Sequence, residues 1–251
     1  MTSFALRLFA IITMLIDHTA AVLVPMDSPF YLPMRTVGRL AFPVFCFLVV
    51  EGLAHTRSAT KYLARMAAFA IISEVPFDLA IHPAEAAAGN GFFEFSGQNV
   101  FFTLFLGLAA ITTAEKLGGL ILSNLAKNNS ASRIAHAAFL KMLVVLPIPA
   151  ALIWCGDLLA TDYNSFGVML ICAIYILRVE PPILRKPLAP AGILGMLALF
   201  FWGNLEIYAG FSALPIALYN GKPGPRKLKL FFYVFYPAHL LALAIIRMCI
   251  T

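Results

Sequence analysis

The chain has 251 residues, of which 61% are hydrophobic and only 12% carry a charge. Ordinary soluble domains run near 45–50% and 25%, so a water-facing globule is excluded and a polytopic membrane protein is expected. The formal net charge of +6 does not indicate nucleic acid, because no nucleic-acid module is recognisable and basic residues collect at one membrane face for topological reasons alone.

A spanning helix needs about 20 mainly apolar residues. On that rule the spans fall near 4–24, 37–54, 62–80, 99–114, 137–154, 165–179, 189–204, 208–220 and 231–250. The first run has only Arg7 at its start, and Asp17-His18 breaks its far half, so it reads as a retained helix and not as a signal peptide. The two runs between Trp202 and Tyr219 are short enough to form one interrupted element. No polar stretch is large enough for a second domain, so 1–251 is read as one integral membrane domain. The fold class is all-α: a helical bundle of about nine transmembrane helices.

Four alternate connections hold 13 of the 18 Lys and Arg residues. They are 55–65 (Arg57, Lys61, Arg65), 115–136 (Lys116, Lys127, Arg133), 178–188 (Arg178, Arg185, Lys186) and 221–229 (Lys222, Arg226, Lys227, Lys229). The intervening connections 81–98, 155–164 and 205–207 have none, and the first has only Arg35. Short cytoplasmic loops carry the basic excess. The alternation therefore places the N-terminus in the cytoplasm and the C-terminus outside. Cys46, Cys155, Cys172 and Cys249 are scattered, without Cys-x-x-Cys spacing.

The chemistry lies in ionisable groups within or at the margins of the spans: Asp17, His18, Arg39, Glu51, Glu74, Asp78 and His239. Each costs roughly 2.5–3.5 kcal/mol at the centre of a membrane helix, so a polar cavity lined by them is expected. At 1.5 Å per residue, His18 lies about 9 Å below the outer end of the first span, and Glu74 matches it on the third. Arg39 and Asp78 both fall about 3 Å below the outer surface. The depths suggest a His18–Glu74 pair and an Arg39–Asp78 pair, with Glu74 and Asp78 four residues apart on one helix face. Asp17 points about 100° away from His18; its candidate partners are a backbone amide, Arg39 or Arg35. Glu51 and His239 match each other in depth nearer the cytoplasm.

An imidazole with an ordinary pKa near 6.5 can act as a general base, and a carboxylate on its other nitrogen would fix its tautomer. No Gly-x-Ser-x-Gly motif and no pair of histidines at helical ligand spacing is present, so neither a serine nucleophile nor a metal is expected. Residue chemistry alone leaves three readings open: catalysis, a proton relay in a carrier or exporter of a small polar solute, and structural ion pairing.

ITMLIDH (12–18), VGRLAFPVFCFLVVEGLAHTR (37–57), ISEVPFDLA (72–80), QNVFFTLFLGL (98–108), ALPIALYNGKPG (213–224) and FFYVFYPAHLLAL (231–243) together resemble the TraX family of bacterial membrane proteins. The namesake of that family is linked to N-terminal acetylation of conjugative pilin. The resemblance also implies kinship with the acyltransferase-3 group, which moves an acyl group from cytosolic acyl-CoA to an outer-face acceptor, with an early-helix histidine as base.

On this resemblance the expectation is a multi-pass acetyltransferase of the bacterial cytoplasmic membrane. Acetyl-CoA is the donor, and a pilin-like protein, glycan or lipid is the acceptor. His18 is the base and Glu74 its orienter. Arg35 and Arg39 steady the donor or the transition state, with Asp78 holding Arg39. Glu51 and His239 shape the donor entrance, and the basic connections meet the CoA phosphates and lipid headgroups. The alternatives are the proton-coupled carrier and a non-catalytic membrane subunit of a conjugation or secretion apparatus.

Overall fold

A computed structural model describes residues 1–82, 97–125, 146–179, 205–225 and 229–250. The described helices are α1 (Ser3–Leu23), α2 (Tyr31–Gly38), α3 (Ala41–Ala54), α4 (Ala59–Ile81), α5 (Val100–Leu125), α6 (Pro147–Leu158) and α7 (Asn164–Val179). A 3-10 segment, Leu205–Ser212, runs into the five-residue α8 (Ala213–Ala217), and α9 (Lys229–Ile250) completes the set. Among the described residues there is no sheet, and the one β-bridge joins Gln98 to Thr161. The expected span 189–204 and the first half of 137–154 lie outside the described residues.

Among the described residues, four stretches are long and apolar enough to cross a bilayer: Ser3–Leu23, Tyr31–Ala54, Val100–Leu120 and Leu230–Ile250. The burial pattern agrees. Ile71, Ile72, Trp154, Ile245 and Ile246 are exposed, whereas Asp17, Arg39, Glu51, Glu74, Asp78 and His239 are buried. A water-soluble protein would bear the desolvation of six such groups while displaying its isoleucines to solvent. In lipid the same arrangement is favourable. The chain is a membrane protein.

The expected span 37–54 is longer than anticipated and is interrupted. Pro43 has no N–H to give to the carbonyl four residues back, and its ring crowds that carbonyl. That carbonyl belongs to Arg39, and the helix breaks at Arg39-Leu40, between α2 and α3. α1 starts on Thr2, whose hydroxyl accepts from the Ala5 amide at 3.2 Å, and α4 starts on Ser58, which accepts from the Lys61 amide at 3.3 Å. Each cap satisfies an amide the first turn would otherwise leave bare. Between Trp202 and Tyr219, the described part (205–219) is a 3-10 turn feeding a short α-helix; the run expected to join it lies outside the described residues.

α1 packs against α2, α3 and α9; α4 packs against α9 and α5 and scarcely touches α1; α5 and α7 pack together with α6 alongside. Gly38 lets α2 sit directly on α1, because a side chain there would overlap Asp17. Gly107 does the same for α5 against Ile171 of α7. Small residues at such crossings are how membrane helices approach closely.

Candidate functional site

Two polar regions and a cavity lie between α1, α3, α9 and the 3-10 segment.

At the Leu23 end Asp17 is held by two arginines. Arg35 Nη1 donates to Asp17 Oδ2 at 2.7 Å, and Arg39 Nη2 donates to Asp17 Oδ1 at 2.9 Å. Arg39 Nη1 reaches Glu206 Oε1 at 2.6 Å, and its Nε donates to the Arg35 carbonyl at 3.2 Å. The break at Arg39-Leu40 places Arg39 between the two carboxylates. Of the three candidate partners for Asp17, both arginines are its partners. The expected Arg39–Asp78 pair does not form: Asp17 and Glu206 occupy the guanidinium, and Asp78 lies buried on α4.

The 159–164 connection completes this end. Tyr163 stacks on Phe42 with ring centres 3.7 Å apart, and the Thr103 hydroxyl bonds to the Asp162 carbonyl. Ala160, Tyr163 and Asn164 all have positive φ. Three non-glycine residues in that region are held there by their surroundings at some cost. Burial pushes the Asp162 carboxyl up to about 7, with Arg39 pulling it the other way.

Next to this network lie two histidines. His18 Nδ1 and His239 Nε2 are 2.6 Å apart, and His239 Nδ1 is 2.8 Å from the Phe235 carbonyl. The two rings are parallel to within 3° and their centres are 4.9 Å apart. Tyr236 stands edge-on to both, at 6.0 Å from His18 and 5.7 Å from His239. Both expected groupings of these histidines are therefore corrected. Glu74 does not orient His18: its carboxylate bonds to the Asn99 amide side chain, which also donates to the Ala70 carbonyl at 2.8 Å. His239 does not accompany Glu51; it stands in the place assigned to Glu74. The physical reason is azimuth. Depth matching compares heights along the helices, but α4 turns Glu74 toward α5, while α9 supplies the residue that faces His18.

Glu51 lies at the Ser3 end, at the mouth where it was expected. Arg178 Nε donates to its Oε1 at 2.6 Å, and Tyr219 donates to its Oε2 at 3.3 Å. Here a cavity of about 660 Å³ opens. Arg7, Arg57 and Arg65 line its outer part together with Glu51 and Tyr219, and Met14, Phe101, Leu104 and Tyr236 line its apolar interior. Met14 is one turn before His18 on α1, and Tyr236 is three residues before His239 on α9, so the histidine pair lies on the same helix faces just beyond the lining. Among the described residues, no three His, Cys, Asp or Glu side chains are grouped to hold a metal ion.

Sequence reasoning missed Glu206, Asn99, Asp162 and Tyr163. Glu206 had a readable signal, being an acid between two apolar runs. Asn99 and Tyr163 had none, since an uncharged amide and a phenol at helix starts are unremarkable there.

A polytopic helical protein that buries an arginine–carboxylate network beside paired histidines is the class these features define. The chain belongs to the TraX family: it matches the family described as "TraX protein" over residues 3–247. It is also 29% identical to a probable fimbrial assembly protein FimC, serogroup H1, of Dichelobacter nodosus, over 98% of this chain and 96% of that protein. No solved structure matches it.

Proposed function

We propose that the protein is a multi-pass acetyltransferase of the bacterial cytoplasmic membrane. It would move an acetyl group from cytosolic acetyl-CoA to an amine or hydroxyl at the outer face. One observation carries this reading: a cavity with arginines at the Ser3 end has Met14 of α1 and Tyr236 of α9 in its lining, one turn from His18 and three residues from His239. Arginines suit the phosphates of a CoA, the apolar interior suits its pantetheine arm and acetyl group, and a volume of about 660 Å³ lies within the roughly 300–1,000 Å³ of ordinary ligand sites.

The Ser3 end carries Arg7, Arg57, Lys61, Arg65 and Arg178, so it is taken as the cytoplasmic side of a bundle of about nine spans with its N-terminus inside. His18 removes the proton from the acceptor as its nitrogen or oxygen bonds to the acetyl carbon. The C–S bond breaks, and the proton returns to the departing CoA thiolate. Arg39 and Arg35 lie within Coulombic range of His18 and can stabilise the negative charge that develops on the thioester oxygen. The relative's name speaks of fimbrial assembly, which favours a pilin-like acceptor.

That name equally suits a second reading, a non-catalytic membrane subunit in fimbrial assembly. Purified protein in vesicles, given labelled acetyl-CoA, separates the two. An acetyltransferase hydrolyses or transfers the label and loses this with His18→Ala; a subunit does neither. Mass spectrometry of surface proteins, glycans and lipids from cells with and without the gene then identifies the acceptor by a lost acetyl group. Unchanged acetylation under expressing conditions would count against the enzyme.

A further inference from the structure

Resting on the acetyltransferase reading, we infer that His239 is the positioning residue for His18: it takes the role a carboxylate fills in a catalytic triad and makes Nε2 of His18 the basic nitrogen.

The first step is geometric. A five-membered ring built from C–N bonds of about 1.33 Å places each atom about 1.15 Å from the ring centre. Two such radii placed end to end with the 2.6 Å Nδ1···Nε2 bond reproduce the 4.9 Å separation of the ring centres. The rings, parallel to within 3°, therefore lie edge to edge in one plane. This is the arrangement of a linear N–H···N hydrogen bond and not of face-to-face stacking.

The second step assigns protons. A backbone carbonyl only accepts, so His239 Nδ1, 2.8 Å from the Phe235 oxygen, carries hydrogen. A neutral imidazole has one N–H, which leaves His239 Nε2 as an acceptor. His18 Nδ1 must then donate to it. In the neutral pair His18 is the Nδ1–H tautomer, and its lone pair is on Nε2. The direction runs from His18 to His239 to the Phe235 carbonyl. Phe235 itself lies nearly parallel to the His239 ring, 13° apart with centres at 4.9 Å, and further restrains its plane.

The consequence is chemical. When His18 Nε2 accepts a proton from the acceptor, its Nδ1–H becomes a stronger donor toward His239 Nε2. The proton in that bond can shift so that the positive charge is shared by both rings and the carbonyl behind them. A carboxylate would place a full negative charge in the membrane interior even at rest; a neutral imidazole avoids that cost.

The test is nitrogen NMR of the full chain carrying ¹⁵N-histidine in nanodiscs, with the His18 signal assigned by loss in His18→Gln. The neutral wild-type ring is expected as Nδ1–H. His239→Gln places an amide oxygen where Nε2 accepted and should keep that tautomer, with transfer within several-fold of wild type. His239→Phe keeps the ring but not the acceptor. It should release His18 to the Nε2–H form preferred by free histidine and lower kcat by one to two orders of magnitude, with donor KM little changed. A wild-type His18 protonated on Nε2 would overturn the inference whether or not any variant folds. So would a His239→Phe protein with unaltered tautomer and kcat. If His18→Ala transfers normally, His18 is not the base; if the wild type neither hydrolyses nor transfers the label, the acetyltransferase reading itself fails; in both cases the NMR result still decides the pairing.

Discussion

The Leu23 end and the interior beside it hold the same kinds of residue in opposite states of satisfaction. Around Arg39 each charged group has a countercharge within 3 Å, two carboxylates against two guanidiniums, and the Arg35 carbonyl accepts a further bond at 3.2 Å. One step along α1, His18 has one nitrogen in a hydrogen bond and the other outside that bond. A closed network holds helices in register and can offer a substrate the field of its arginines, but no proton acceptor. A half-satisfied imidazole beside a cavity has a lone pair to use. The difference between the two regions separates structural ion pairing from candidate catalysis more sharply than either burial or charge.

The largest expected effect tests the open side. His18→Ala should lower acetyl transfer by about 10²–10⁴-fold, the range of a lost acid–base contributor, with the detergent melting temperature nearly unchanged. A comparable fall in melting temperature would move His18 to the structural side. The closed side should respond the other way. Arg39→Ala strands Asp17 and Glu206 without their shared partner and should destabilise the fold by about 3–5 kcal/mol, read by denaturant titration in mixed micelles. If the variant is as stable as wild type, the network is not what joins α1 to α2 and the 3-10 segment.

Gly38→Ala pushes a methyl into Asp17 and should cost about 1–3 kcal/mol, as overpacking does elsewhere, checked by the same titration. Glu74→Gln keeps an acceptor for Asn99 and should change transfer by less than about tenfold, below the usual range for a lost catalytic acid or base. A larger loss would restore Glu74 to the catalytic group. The smallest effect concerns Asp162. Its carboxyl keeps its proton to about pH 7 in the folded chain against an ordinary value of 3.8. The folded state thus binds more protons between those values, and stability falls as pH rises through that window. Asp162→Asn should flatten that slope in melting curves taken from pH 4 to 7.

Much of this was legible in the residues. Asp17, His18, Arg39, Glu51, Glu74, Asp78 and His239 stand out because an ionisable group in an apolar run is too costly to be incidental. Asp17's arginine partners were already among its candidates, since Arg35 and Arg39 follow within two turns of the next helix. The pairs that crossed longer separations were misjudged. His18 was matched with Glu74, and Arg39 with Asp78, on height alone. Two helices can carry groups at one height that face different neighbours, and nothing in a hydropathy pattern records that angle. Pro43 could have warned that the second span breaks at Arg39, which is what turns that guanidinium toward Asp17 and Glu206.

By itself the sequence determined the membrane class, the helical character and the ionisable residues inside the apolar runs, because the solvent acts on each residue locally: apolar runs enter lipid, and charges inside them are exceptional. The tertiary structure decided the partners. Which carboxylate an arginine meets, and whether an imidazole is oriented by Glu74 or by His239, depends on how α4 and α9 are rotated against α1. That rotation is set by close packing, a sum over many contacts that no single position carries.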